Sequence, residues 1–209
     1  MTLSGKSIKS ELENGELEID RDGKPLNIEP SSIDLHLGYM YGKYGEQSEP
    51  VKVWDESTYP DFWVRDCREM INRNGAIPIE PGEFILAHTE EVVDLPANYV
   101  GQLEGRSSVG RLSLFVENAG LVDAGFRGDL TLELFNCGKN EIWLKPGMRI
   151  VQMKVHEHEE APDVEYSVGN GNKYNDQRGP TPTRLYEDFR EKRENDEQNG
   201  TTIEFSEPC

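Results

Sequence analysis

Leu130-Thr131-Leu132-Glu133-Leu134-Phe135 places Leu130, Leu132 and Leu134 on one face of the chain and Thr131, Glu133 and Phe135 on the other. A period of two is the mark of a strand with one face buried. Outward from this stretch, β-forming residues return in Phe84-Ile85-Leu86-Ala87, Tyr99-Val100-Gly101-Gln102-Leu103 and Ile150-Val151-Gln152-Met153-Lys154-Val155. Turn signals at Pro81-Gly82, Leu95-Pro96, Gly125, Gly138 and Pro146-Gly147 separate them. Many short strands closely spaced between residues 77 and 156 predict an all-β domain, a barrel or sandwich of the jelly-roll kind. Nearer the N-terminus, Ile33-Asp34-Leu35-His36-Leu37 alternates as a half-buried strand does. Ser4 predicts the cap of a short helix over about residues 5–14, with Ile8 and Leu12 on one face and Gly15 as its stop. Residues 42–75 are aromatic and punctuated by Pro and Gly, with a short helix predicted at 61–72, and read as an elaboration. The expected organisation is one β domain over 1–185 and a charged tail over 186–209, including Glu191-Lys192-Arg193-Glu194.

The 209 residues carry a formal net charge of −18, with 35% hydrophobic and 30% charged residues. A chain so acidic is a poor partner for duplex nucleic acid, whose binding draws on Lys and Arg at phosphates. The excess of carboxylates also suits a high-salt setting, where repulsion is screened. No apolar run approaches the ~18 residues of a membrane span, and Met1–Gly15 has no apolar signal core, so a cytoplasmic protein is expected. Three scattered cysteines, Cys67, Cys137 and Cys209, fit a reducing compartment. Gly5-Lys6-Ser7 looks like the end of a phosphate-binding P-loop, but the glycine required five residues earlier has no counterpart in the sequence. No two cysteines are close and His156 and His158 have no thiolate company, so no zinc site is expected.

Three stretches carry chemistry. Glu104-Gly105-Arg106-Ser107-Ser108-Val109-Gly110-Arg111 concentrates two guanidiniums, two hydroxyls and two glycines after an apolar strand. Forked arginine donors, hydroxyls and approachable backbone suit a triphosphate; the same composition also makes an ordinary polar turn. In Asn118-Ala119-Gly120-Leu121-Val122-Asp123-Ala124-Gly125-Phe126-Arg127-Gly128, Asp123 is either a turn-former or a carboxylate held at a strand end to accept a hydroxyl. Glu133 is a proton carrier if its face lines a pocket, and a surface residue if it faces water.

Taken together, Glu104–Arg111, Ala119–Gly128, Leu132-Glu133-Leu134 and Pro146-Gly147-Met148 resemble the dCTP deaminase family of the dUTPase-like trimeric β folds. Pro30-Ser31-Ser32-Ile33-Asp34-Leu35 and Lys173-Tyr174-Asn175-Asp176-Gln177-Arg178-Gly179-Pro180-Thr181 extend the resemblance over most of the chain, except residues 42–75 and the last twenty or so. It implies a distorted dUTPase-like barrel with minor helical insertions and metal-free hydrolysis at cytosine C4. By this resemblance Glu133 shuttles protons from water to N3 and the departing amine, and Ser107 and Arg111 hold the water and the ring substituents. The resemblance also implies that Arg106, Ser107 and Ser108 bind phosphates, and that Val109, Gly110, Thr131 and Leu132 are among the substrate-binding residues. Asp123 takes the 3′-hydroxyl, Phe126 lies beneath the sugar, and Gln152, Tyr166, Lys173 and Gln177 close over the triphosphate. Magnesium rides on the triphosphate, and the assembly is a homotrimer.

The implied product is dUMP, because Ala119-Gly120 and Gln177–Arg184 resemble the family members that also split off diphosphate. The alternatives are a deaminase that releases dUTP, a dUTPase, or a nucleotide-sensing binding protein.

Overall fold

The computed structural model describes residues 1–70, 74–117, 120–160, 162–164, 166–167 and 172–190. Helix α1 (Gly5–Asn14) begins where the Ser4 side chain accepts a hydrogen bond from the Ser7 amide and ends at Gly15, left-handed at φ 75°. Its buried side chain is Ile8. The strands follow as β1 (Glu18–Asp20), β2 (Asn27–Glu29), β3 (Ser32–Tyr44), β4 (Phe62–Asp66), β5 (Ile77–Ile79), β6 (Phe84–Asp94) and β7 (Tyr99–Gly105). After the one-turn helix α2 (Ser107–Gly110) come β8 (Leu114–Glu117), β9 (Leu121–Val122), β10 (Arg127–Asn136), β11 (Ile142–Leu144) and β12 (Arg149–Glu157).

The main sheet runs β8-β10-β6-β3-β12-β7-β9, with β1 on β6 and both β2 and β4 on β3; β5 and β11 form a separate pair. Strands β7 and β8 are consecutive in the chain yet stand near opposite ends of that path. A Cβ on Gly105, closing β7, would nevertheless lie 3.6 Å from Val116 of β8, so the sheet curls toward closure, as the all-β barrel reading expected. Leu132 and Leu134 of β10, Ile85 and Ala87 of β6, and Ile33, Leu35 and Leu37 of β3 are fully buried in its core. Each of these leucines and isoleucines contributes about 1.5–3 kcal/mol by leaving water.

The chain divides into two compact units, Met1–Lys43 with Trp63–Thr181, and Tyr44–Phe62 with Pro182 onward. Within the smaller unit Tyr44 packs on Phe62, Tyr59 packs edge-on to Tyr186, and Arg190 pairs with Glu56 at 2.6 Å. No described helix is long and apolar enough to cross a membrane.

Two expectations are corrected. The described part of the predicted helix, residues 61–70, is not α-helical: β4 is followed by a 3-10 turn over Cys67–Glu69, begun by the Asp66 side chain accepting the Arg68 amide, and residues 71–72 lie outside the described residues. Phe62-Trp63-Val64 are bulky at χ1 and favour a strand. Strand β3 is buried on both faces rather than half-buried, because its polar residues have partners: Asp34 meets Arg149, and His36 meets Glu91.

Candidate active site

Strand β10 presents Thr131, Glu133 and Phe135 on the face opposite its buried leucines, and all three are half-buried. In register, Thr131 lies opposite His88, Glu133 opposite Leu86 and Glu117, and Phe135 opposite Phe84 and Phe115. The Glu133 carboxyl therefore stands on a partly desolvated surface and not in open solvent.

Residues 177–181 run alongside β10 as a strap. Gln177 forms a parallel bridge with Gly128. The Asp129 amide donates to the Gln177 carbonyl at 3.2 Å, and Gln177 Nε2 returns a bond to the Asp129 carbonyl at 2.8 Å. Thr131 Oγ1 lies 3.5 Å from Gln177 Oε1 and accepts the Thr181 amide at 3.3 Å. Gly128 has no room for a side chain, since a Cβ would stand 3.0 Å from the Gln177 carbonyl oxygen and 3.2 Å from the Phe126 ring.

Phe126 is buried, with its ring centroid 5.9 Å from that of Tyr166. Tyr166 is tied in by its amide to the Ala124 carbonyl at 2.8 Å, by Asn175 Nδ2 donating to its carbonyl, and by the Tyr174 amide donating to its hydroxyl. Burial pushes the Tyr166 phenol up; the nearby Asp123 charge adds to the rise and Lys173 opposes it. The phenol consequently keeps its proton at neutral pH. Asp123 itself is exposed beside the turn, where the Phe126 amide donates to its carbonyl at 3.1 Å. The structure thus joins Gln177 to Thr131 on the Glu133 face of β10, and sets Phe126 against Tyr166 with Asp123 and Lys173 near the phenol.

The arginine-serine loop is a second group. Arg106 keeps extended backbone and its carbonyl accepts the Val109 and Gly110 amides, so those two N–H groups are already engaged within the turn. The Ser107, Ser108 and Arg111 side chains are exposed and have no hydrogen bond or ion pair with another described residue, while Val109 anchors the loop in the core. Arg106 Nη2 lies 3.3 Å from Asp34 Oδ2, and Arg149 Nη1 donates to the same oxygen at 3.0 Å and to Glu29 at 3.0 Å. Gln152 pairs in register with Glu104 and Asp34 beside the loop. Gly120 accepts the Leu103 amide at 2.8 Å; Ala119 lies outside the described residues.

The loop Arg106–Arg111 follows β7, which is not a neighbour of β10 in the sheet order. Sequence reasoning missed Asp34 and Arg149 as site residues. Their signal was a carboxylate at an inward position of an apolar strand, which survives burial only with a cation to meet it. Asp34→Asn is expected to loosen Arg106 and Arg149 and to lower stability by about 1–2 kcal/mol, less than for a wholly buried pair because both arginines reach solvent. Thermal denaturation, with nucleotide titration alongside, checks it.

A family described as dCTP deaminase-like matches residues 2–158. The chain is similar to a "dCTP deaminase, dUMP-forming" of Sulfurihydrogenibium sp. (strain YO3AOP1), 41% identical over 191 residues, covering 90% of this chain and 99% of that relative. A protein of the same name from Persephonella marina is 40% identical over 191 residues, with the same two shares. Among solved structures, 2′-deoxycytidine 5′-triphosphate deaminase from Agrobacterium tumefaciens shares the fold at a TM-score of 0.56 and 21% identity, covering 75% of this chain and 48% of that one.

Proposed function

The chain belongs to the dCTP deaminase-like family, and we propose that it converts dCTP and two waters to dUMP, ammonia and diphosphate. The observation that carries this reading is the half-buried Glu133 on the same face as Thr131 and the strap. Attack of water on cytosine C4 builds charge on the ring unless N3 is protonated. One carboxylate beside C4 takes the proton from water and gives it to N3, then takes the proton of the new C4 hydroxyl and passes it to the amine as the C4–N bond breaks and the carbonyl forms. Ser107 and Arg111 steady the water and the ring substituents. Arg106, held by Asp34, joins Ser107 and Ser108 at the phosphates, and the engagement of the Val109 and Gly110 amides leaves the hydroxyls and guanidiniums as the loop's donors. Asp123 accepts the 3′-hydroxyl, and the wall of Phe126 against Tyr166 excludes a 2′-hydroxyl.

Magnesium enters with the nucleotide, held by phosphate oxygens, as a hard cation with few protein ligands tends to be. The protein works as a homotrimer. Phe84 and Phe115 are 42% and 51% exposed, and Phe135 lies between them in register, forming an apolar row that continues from Glu133. Another copy covering this row would bring its arginine-serine loop to Glu133. A cytoplasmic setting suits the free thiols of Cys67 and Cys137.

Incubation with dCTP and magnesium, followed by product separation, is expected to yield ammonia with dUMP and diphosphate. Accumulation of dUTP would leave a deaminase without the second step. Turnover of dUTP with no ammonia from dCTP would make the protein a dUTPase, and binding without turnover a nucleotide sensor.

A further inference from the structure

Beneath the strap lies a polar pair that the proposed chemistry does not use. His88 and Asp129 are both buried, and His88 Nδ1 stands 3.2 Å from Asp129 Oδ2. The Met40 amide donates to His88 Nε2 at 3.2 Å, so that nitrogen carries no proton and Nδ1 presents its own to the carboxylate. Asp129 Oδ2 also accepts the Gly179 amide at 2.8 Å, while Oδ1 is buried with no partner. The backbone is kept bare around the pair. A Cβ on Gly38 would stand 2.2 Å from His88 Nε2, and one on Gly179, at φ 74°, would stand 2.8 Å from Met40 Cε. On its other side the imidazole meets the edge of Tyr39, with ring centroids 5.7 Å apart. The Arg68 guanidinium covers Tyr39 at 3.5 Å and is itself held by Asp66. The elaboration after residue 61 thereby braces the imidazole.

We propose that His88 and Asp129 form a latch that positions the strap over Glu133, a role that rests on reading the Glu133 face as the reaction site. A buried carboxylate persists only where donors replace its water. Asp129 has two such donors, the imidazole N–H and the strap amide of Gly179. Lifting the strap removes one of them and leaves the carboxylate under-solvated, so the carboxylate draws the strap down. Removing His88 withdraws the other donor and the orientation it imposes. The strap in turn carries Gln177 and Thr181 to Thr131, the neighbour of Glu133 on the same face. His88 and Asp129 are thus positioning residues, and loosening the latch weakens nucleotide capture more than it slows the chemical step.

The test is amide hydrogen exchange without nucleotide, alongside steady-state turnover of dCTP, in wild type, Asp129→Ala, His88→Ala and Asp129→Asn. The two alanine variants are expected to exchange the Gly179 and Thr181 amides about tenfold faster, with α1 and β12 unchanged. Their KM should rise about fivefold or more with kcat within about twofold. Asp129→Asn keeps one oxygen able to accept both donors, and its exchange should stay within about twofold of wild type. Strap protection in Asp129→Ala equal to wild type, protection lost equally in β12, or Asn as loose as Ala would each overturn the latch. Because exchange is read without nucleotide, a wild type that releases no ammonia from dCTP would refute the assigned reaction while the exchange data still decide the latch.

Discussion

Glu133→Gln is expected to lower ammonia release from dCTP by about a hundred- to ten-thousandfold, while nucleotide Kd changes by less than about threefold. The amide is nearly isosteric with the carboxylate, so the half-buried surface around Thr131 and Phe135 is kept. A glutamine can still hydrogen bond to the ring, but it cannot accept a proton from water or return one to the amine. The loss therefore falls on kcat, as it does for an interaction made only in the transition state. On the proposed reading, binding draws mainly on the guanidiniums and hydroxyls of residues 106–111 and on Asp123, Phe126 and the strap, all of which the variant keeps. Ammonia measured by a coupled assay and binding measured by calorimetry separate the two quantities. Wild-type release from the variant would show that the proton carrier lies elsewhere.

The parts of this architecture legible in the sequence are those governed by local rules. Ser4 and Gly15 bracket α1 because capping and left-handed geometry act within one turn. Leu130–Phe135 could be sided because its alternation is strict. Strand β3 shows the opposite case. Asp34 and His36 alternate with apolar residues as if facing water, yet both are buried against Arg149 and Glu91, which are 115 and 55 residues away in the chain. No local pattern announces such a partner. Residues 61–70 fail for another reason: the apparent helix lies over a bulky segment, Phe62-Trp63-Val64, where side-chain stiffness favours a strand. At the site, composition singled out the arginine-serine loop and alternation singled out Glu133. Neither revealed His88 and Asp129, which are 41 residues apart and joined only by the pairing of β6 with β10.

Mixing two inactive proteins, Glu133→Gln and Arg111→Ala, is expected to restore activity. Arg111 stands in an exposed loop with no described partner, and Glu133 stands on β10 beside an exposed phenylalanine row. If each site in the trimer takes Glu133 from one copy and Arg111 from another, each pure variant lacks one half at every site. In trimers assembled at random from equal amounts of both, about a quarter of the sites receive an intact Glu133 from one chain and an intact Arg111 from the next. The recovered rate should thus approach about one quarter of wild type, far above either parent when each has lost at least about a hundredfold. Co-expression in equal amounts, purification of the whole trimer population on a tag that both chains share, and an ammonia assay give the measurement. If the two halves instead met within a single chain, every site of the mixture would carry one lesion or the other, and activity would stay at the level of the parents.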